Sequence, residues 1–383
     1  MYHKLMVNKS LFWISNTRVR FLLLFSDVNA SPMLLEIVNN LKESPNTFRI
    51  VVIGDLELEI CKNLQALGIT FSIVSKRSKY GFVRMLISVM REILVAKPNT
   101  ILASGQYATI LGMISAYIGG VPQRIFIRHH SNFHTKYGMQ LGVLADRLAN
   151  YLSTRIVAVS EVVKDILISS EGVDSLKVIL IHNGIDIQKF GKIDSGTQKI
   201  FTGVNERIRV GVVSRLTGWK GVQYTVDAFI ELNAKFPNSH LHIVGAPADF
   251  FGVVSEKLSS LNKSDYTLTS WYPDVLGFLR ELDIFVHVPI GPQDEAFGLV
   301  YIEALASRTP SIFTISGVLQ ELPNPEKYAY IAPYQNSNAI LSEMMNILDP
   351  AAPKKEPLPQ KWLQQYSLDT MGKEYMKLLI GAK

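Results

Sequence analysis

Short apolar runs alternate with longer amphipathic stretches along almost the whole chain. That is the pattern of a parallel sheet covered by helices on both faces. The runs at 19–25, 49–54, 70–74, 99–104, 124–130, 155–160 and 177–184 read as strands. Pro32–Glu43, Val83–Val95 and Leu141–Leu152 carry apolar residues at helical spacing between them. Ser160 precedes EVVKDIL and is expected to cap that helix, because its hydroxyl can accept an orphan backbone N–H. The pattern then starts again, with strands expected at 208–214, 240–245, 266–271, 283–289 and 309–314. Residues 188–206 are polar, fit neither period and read as a linker, and a Pro- and Lys-rich loop at 349–361 precedes a closing helix near Leu368–Leu379.

The expected fold class is therefore α/β, with two Rossmann-like doubly wound domains facing each other across a cleft. Their expected limits are 1–190 and 191–360, with a C-terminal helix in 361–383 returning toward the first domain. Such folds bind ligands outside the carboxyl ends of their strands. A chain of 383 residues with 48% apolar content suffices for two cores. The single cysteine, Cys61, excludes an internal disulfide and any multi-cysteine metal site. The longest apolar run, Thr109–Pro122, is too short to span a membrane and holds three glycines. The basic opening residues lack a long apolar core or a cleavage site, and no signal peptide is expected.

Charge is unevenly placed. Residues 1–190 hold 21 Lys and Arg against 13 Asp and Glu, whereas 191–383 hold 18 against 20. A basic half fits an anionic partner or ordinary solvated surface equally well. The segment 76–95 sharpens the question, because Lys76, Arg77, Lys79 and Arg84 stand beside Tyr80, Phe82, Met85 and Leu86 at the start of a helix. That mix suits an interfacial helix on an anionic membrane surface. A helix packed on its own sheet with a solvated basic end is the other reading.

The most informative chemistry lies in 283–314, DIFVHVPIGPQDEAFGLVYIEALASRTPSIFT. Glu295 sits just before a helix and Glu303 lies inside it. Helix starts leave N–H groups unpaired, so Phe297, Gly298 and Leu299 make an anion site, and Gly298 allows close approach. A phosphate held there would leave Glu295 beside whatever is attached to it and Glu303 within reach of a ribose diol.

These two glutamates, with FGLV and EALA around them, resemble the E-x(7)-E signature of retaining GT-B glycosyltransferases of sequence family 4. The stretch 210–245 is similar to that family's G-R-L-x-x-x-K-G, with Ser214 where Gly is usual. The resemblance implies that Arg215 and Lys220 converge on the diphosphate of a nucleotide-sugar and neutralise the leaving group. It places Trp271 and Tyr272 near the nucleotide base, and His129 or His130, in RIFIRHH, against the donor sugar. KVILIHNGIDIQKF resembles the segment leading into the family's linker. A metal site at the His pair lacks a third ligand nearby in sequence. No Asp-x-Asp motif is present, so no metal cofactor is expected. Two departures stand out: residues 26–31 replace a Gly-Gly loop, and Arg308 stands where Gly is common.

The implied activity is transfer of a hexosyl or N-acetylhexosaminyl group with retention, the leaving phosphate itself taking the acceptor proton. UDP is the expected nucleotide, with GDP behind it, and the acceptor a glycan or lipid-linked molecule of cell-envelope polysaccharide or glycoconjugate synthesis. No nucleic-acid partner is expected. The expected setting is cytoplasmic or peripheral on the membrane's inner face. A sugar-nucleotide 2-epimerase of the same fold and a non-catalytic partner subunit are the alternatives.

Overall fold

A computed structural model describes residues 21–26, 31–76, 81–190, 207–272 and 274–381. The first half runs β1 (Phe21–Ser26), α1 (Pro32–Glu43), β2 (Phe48–Ile53), α2 (Glu59–Ala66), β3 (Phe71–Val74), α3 (Gly81–Ala96), β4 (Thr100–Ser104), α4 (Gln106–Ile118) and β5 (Gln123–Arg128). It continues through α5 (Phe133–Lys136), α6 (Gln140–Leu152), β6 (Arg155–Ala158), α7 (Glu161–Asp165), β7 (Val178–Leu180) and α8 (Ile187–Phe190). All pairings are parallel, in the order β3-β2-β1-β4-β5-β6-β7. Every residue of β1 is buried, as a strand covered on both faces requires.

The second half contains β8 (Ile208–Val213), α9 (Val222–Lys235), β9 (Ser239–Val244), α10 (Phe251–Leu258), β10 (Tyr266–Thr269), α11 (Val275–Glu281) and β11 (Ile284–His287). After these come α12 (Leu299–Ala306), β12 (Ser311–Phe313), β13 (Tyr330–Ile331), α13 (Ser337–Leu348), α14 (Gln360–Gln365) and α15 (Leu368–Ile380). The sheet order is β10-β9-β8-β11-β12-β13, again parallel throughout. The edge strand β13 has two residues, too short for any periodicity to reveal. Both sheets reverse their winding once, between β1 and β4 and between β8 and β11. The carboxyl ends of those strands open onto the space between the sheets, the crevice where doubly wound folds take ligands.

The caps follow the local chemistry. Ser31 accepts from Leu34 N–H with Pro32 at the first helical position of α1. Ser160 accepts from Val163 N–H at 3.1 Å and donates its hydroxyl to the Ala296 carbonyl of the second half. The chain returns across the molecule near its end: Ile185 N–H donates to Tyr366 O and Leu368 N–H to Ile185 O, both at 2.9 Å. Helix α15 then packs against α1. Among the described residues no helix is long and apolar enough to cross a membrane. Residues 1–20, Asp27–Ala30, Arg77–Tyr80 and the linker positions 191–206 lie outside the described residues.

Arg308 ends α12 with φ 56°, in the left-handed region. A Cβ is strained there and Gly is not, which is the physical reason for a glycine preference at such a position. Arg308→Gly is therefore expected to stabilise the fold by up to about 1 kcal/mol in urea unfolding. A loss of stability would show that the guanidinium makes up for the backbone strain.

Candidate active site

Four strand ends build the cleft. Gly105 and Gln106 follow β4, Arg128–Ser131 end β5, Arg215, Trp219 and Lys220 follow β8, and Asp294–Ala296 follow β11. They enclose a cavity of about 310 Å³ with Phe133, His134 and Asp146 on the first-domain wall. The β8–α9 turn is pulled tight against β11. Gly221 has φ 71°, and a Cβ there would stand 1.9 Å from the Val288 carbonyl oxygen, so only glycine fits after Lys220.

Glu295 is the electrostatic centre. It is 7% exposed, and its Oε1 accepts from both Lys220 Nζ and His287 Nε2, the latter at 2.8 Å. The carboxylate can only accept, so His287 carries its proton on Nε2. Burial alone pushes the Glu295 carboxyl up, but the Lys220 ammonium and the His287 hydrogen bond overcome it and hold the group at about 2. His287 itself is lowered, first by burial, and so stays neutral. Glu295 N–H donates to Ser316 Oγ at 3.0 Å, and Ser316 Oγ donates to the Pro292 carbonyl, which fixes the loop before α12. Oε2 of Glu295 has no hydrogen-bond partner among the described residues, and Glu295 lines the cavity.

The start of α12 matches the anion-site geometry. Gly298 is left-handed at φ 82° and precedes the first helical residue, Leu299. The N–H groups of Phe297, Gly298 and Leu299 donate to no backbone acceptor among the described residues. Phe297 is itself buried, and its carbonyl accepts from Val318 N–H at 2.8 Å. One helical turn on, the half-buried Glu303 has no side-chain partner among the described residues, and burial raises it to about 7. Arg215 is exposed at the cleft, also without a side-chain partner there.

The two histidines point to different neighbours. His129 is exposed at the cleft with its Nε2 3.0 Å from Ser104 Oγ; desolvation by the surrounding groups, then the charge of His130, lowers it and favours the neutral imidazole. His130 Nε2 lies 3.3 Å from Asp146 Oδ1, and His134 Nδ1 lies 2.7 Å from Asp146 Oδ2. Asp146 thus supplies the carboxylate that the sequence around the His pair lacks; it comes from α6. Two imidazoles and a carboxylate could hold a cation. The buried Arg128 guanidinium, 3.3 Å from Asp146 Oδ1, the oxygen that also faces His130, already supplies positive charge there. Arg128 also binds Glu171 at 2.5 Å and the His130 carbonyl at 3.1 Å, and so braces the histidine loop.

Trp271 and Tyr272 follow β10, outside the cavity lining. Trp271 is 72% exposed, while Tyr272 packs on Phe278 and His242 at 5.0 and 5.8 Å between ring centres. The sequence reading missed His287, although a histidine inside the buried run IFVHV was a visible signal. It missed Trp219, whose ring meets Phe133 and Tyr137 at 5.2 and 5.1 Å across the cleft. Asp146 gave no local signal, because α6 reads only as an amphipathic helix.

Glu303 carries a pH signature. Its folded pKa lies above the ordinary 4.5, so the ligand-free fold holds its full relative stability below that value and loses it as pH climbs through about 7. Glu303→Gln should therefore raise the Tm of the ligand-free protein at about pH 8 and leave it nearly unchanged at about pH 5. An equal shift at both would mean that Glu303 is solvated.

Comparison with known proteins agrees with this geometry. The family model of glycosyl transferases group 1 matches residues 197–361, and that of glycosyltransferase family 4 matches residues 52–189. A capsular polysaccharide biosynthesis glycosyltransferase, CapM, of Staphylococcus aureus is 27% identical over 60% of this chain and 62% of its own length. The Escherichia coli UDP-Gal:alpha-D-GlcNAc-diphosphoundecaprenol alpha-1,3-galactosyltransferase is 26% identical over 60% of this chain and 61% of its own. The chain thus aligns with about three fifths of these relatives. The crystal structure of Anabaena HepE with UDP and glucose superposes with a TM-score of 0.77 at 18% identity, over 94% of this chain and 99% of that one. With the two family models together spanning most of the sequence, the chain belongs to the GT-B glycosyltransferases of family 4 type.

Proposed function

We propose that the protein is a retaining, metal-independent glycosyltransferase. It moves a hexosyl or N-acetylhexosaminyl group from a UDP-sugar to a glycan or lipid-linked acceptor of cell-envelope polysaccharide or glycoconjugate synthesis. The observation that carries this reading is the start of α12, where three unpaired N–H groups stand between the free oxygen of Glu295 and the partnerless carboxyl of Glu303. A nucleoside diphosphate has the matching parts in that order: ribose hydroxyls for Glu303, phosphates for the amides, and a sugar for Glu295. UDP and a lipid-linked acceptor are supported by the names of relatives, among them the galactosyltransferase above and an alpha-monoglucosyldiacylglycerol synthase of Acholeplasma laidlawii.

In this reading Arg215 and Lys220 lie over the diphosphate and stabilise the charge that grows as the sugar–phosphate bond breaks. The acceptor oxygen bonds to the anomeric carbon on the face the diphosphate leaves, and its proton passes to the leaving phosphate oxygen. Neutral His129 offers a hydrogen bond to the sugar without adding charge. Arg128 beside Asp146 supports the absence of a metal requirement, because a divalent cation would have to share that carboxylate with a guanidinium. The protein's work is positioning and charge stabilisation.

Arg215 gives the cleaner test, since removing Lys220 also leaves the buried Glu295 charge uncompensated. Arg215→Ala should lower kcat about a hundredfold at saturating donor while unfolding as the wild type does. Acceptor-dependent nucleotide release from a sugar-nucleotide panel checks the activity. A new sugar isomer without acceptor would indicate an epimerase, and no turnover of any donor a non-catalytic subunit.

A further inference from the structure

More than half of the exposed large apolar side chains among the described residues lie on three neighbouring helices, α3, α4 and α6. These pack side by side on one face of the first sheet, α3 on α4 and α4 on α6. On α6, Leu141, Leu144, Leu148 and Tyr151 stand at helical spacing and are 85%, 63%, 38% and 75% exposed. At 100° per residue they fall within one narrow stripe, opposite in role to Ala145, Asp146 and Ala149, which line the cleft. Helix α3 repeats the pattern: Val83, Ile87 and Leu94 share a stripe, with Arg84 and Arg91 one heptad apart along its flank. Tyr117 and Ile118 end α4 exposed between the two, and α4 carries no charge at all.

An exposed apolar surface of this extent marks an interaction site. Its charge chooses the partner. Arg91 and Arg147 are exposed on α3 and α6. The acidic residues of these helices are engaged elsewhere: Glu92 bonds Arg49 at 3.0 Å, and Asp146 turns to Arg128 and the histidines. Apolar stripes flanked by arginines suit a bilayer interface, where the stripes enter the acyl boundary and the guanidinium groups meet phosphates. We propose that the α3–α4–α6 face docks on an anionic phospholipid bilayer. This extends the interfacial reading of 76–95 to a three-helix surface whose strongest stripe is on α6. The same helix walls the cleft on its other side, and α4 begins at the cleft with Gln106, so docking brings the cleft mouth to the lipid surface. The purpose of the docking, delivery of a membrane-embedded acceptor, rests on the function proposed above; the docking itself does not.

Vesicle co-sedimentation of the full chain tests it, using phosphatidylcholine vesicles with and without phosphatidylglycerol. Binding is expected to the anionic vesicles at low salt and to weaken as salt rises. Each cation near such a surface is worth about fivefold in affinity, so Arg91→Glu with Arg147→Glu should weaken binding by more than tenfold. Leu141→Gln with Leu144→Gln and Tyr151→Gln should do the same, and neither set should change nucleotide release with a water-soluble acceptor. Absence of binding to anionic vesicles, or equal binding to neutral ones, overturns the proposal. So does a wild-type dimer in sedimentation velocity that the α6 variants split, because the face would then belong to a second copy. Binding without turnover would instead contradict the transferase reading and leave the docking intact.

Discussion

One buried carboxylate organises the cleft. Glu295 keeps its charge out of water only because Lys220 and His287 both donate to its Oε1. Removing Lys220 would leave an uncompensated interior charge, a loss on the order of 3–5 kcal/mol, and removing His287 would take a hydrogen-bond donor from the same oxygen. The arrangement ties three segments to one atom: the β8–α9 turn through Lys220, the last residue of β11 through His287, and the loop before α12 through Glu295. That loop is held again by Ser316 beneath it. The amides of α12 and the carboxyl of Glu303 inherit their places from this anchor.

The same loop is where the first domain takes hold of the second. Ser131 donates to the Gln293 carbonyl at 2.6 Å, Asn132 to the Gln293 side chain at 2.8 Å, and Lys136 pairs with Asp294. Ser160 reaches the Ala296 carbonyl, and Glu321 receives both Glu161 N–H and His182 Nε2. The rings of Phe133 and Tyr137 meet the Trp219 ring across the cleft. The residues that order the loop before α12 therefore also set the spacing to the opposite wall. Arg128, pinned by Glu171 and Asp146, holds that wall's histidine loop in place.

The sequence made the two sheets legible because strands buried on both faces read as unbroken apolar runs, FLLLF and IVVI among them. Ser160 was readable as a cap for the same local reason. Glu295, Glu303 and the start of α12 share one short stretch of chain, so their grouping around one helix start could be inferred from spacing. Asp146 and Trp219, which reach the cleft, and Ser316, which holds the loop beneath it, could not, because each comes from an element whose own pattern says only helix or loop. Lys220 was legible only as a cation expected to meet a phosphate; its bond to Glu295 spans 75 positions and exists only in the fold. Tyr272 shows the opposite case, an aromatic in a motif-like context that packs against its own sheet.

The claim at the centre of this account is that α12 and Glu303 receive a nucleoside diphosphate. Ribose hydroxyls donated to Glu303 favour its charged form and so lower a carboxyl that burial holds at about 7. Calorimetric titration with UDP near neutral pH, in two buffers of different ionisation enthalpy, measures the protons exchanged on binding. The account predicts net proton release by the wild type, absent in Glu303→Gln together with a tenfold or greater loss of affinity, about 1.5 kcal/mol or more. Equal UDP affinity in the two proteins, with no difference in proton release, would contradict it.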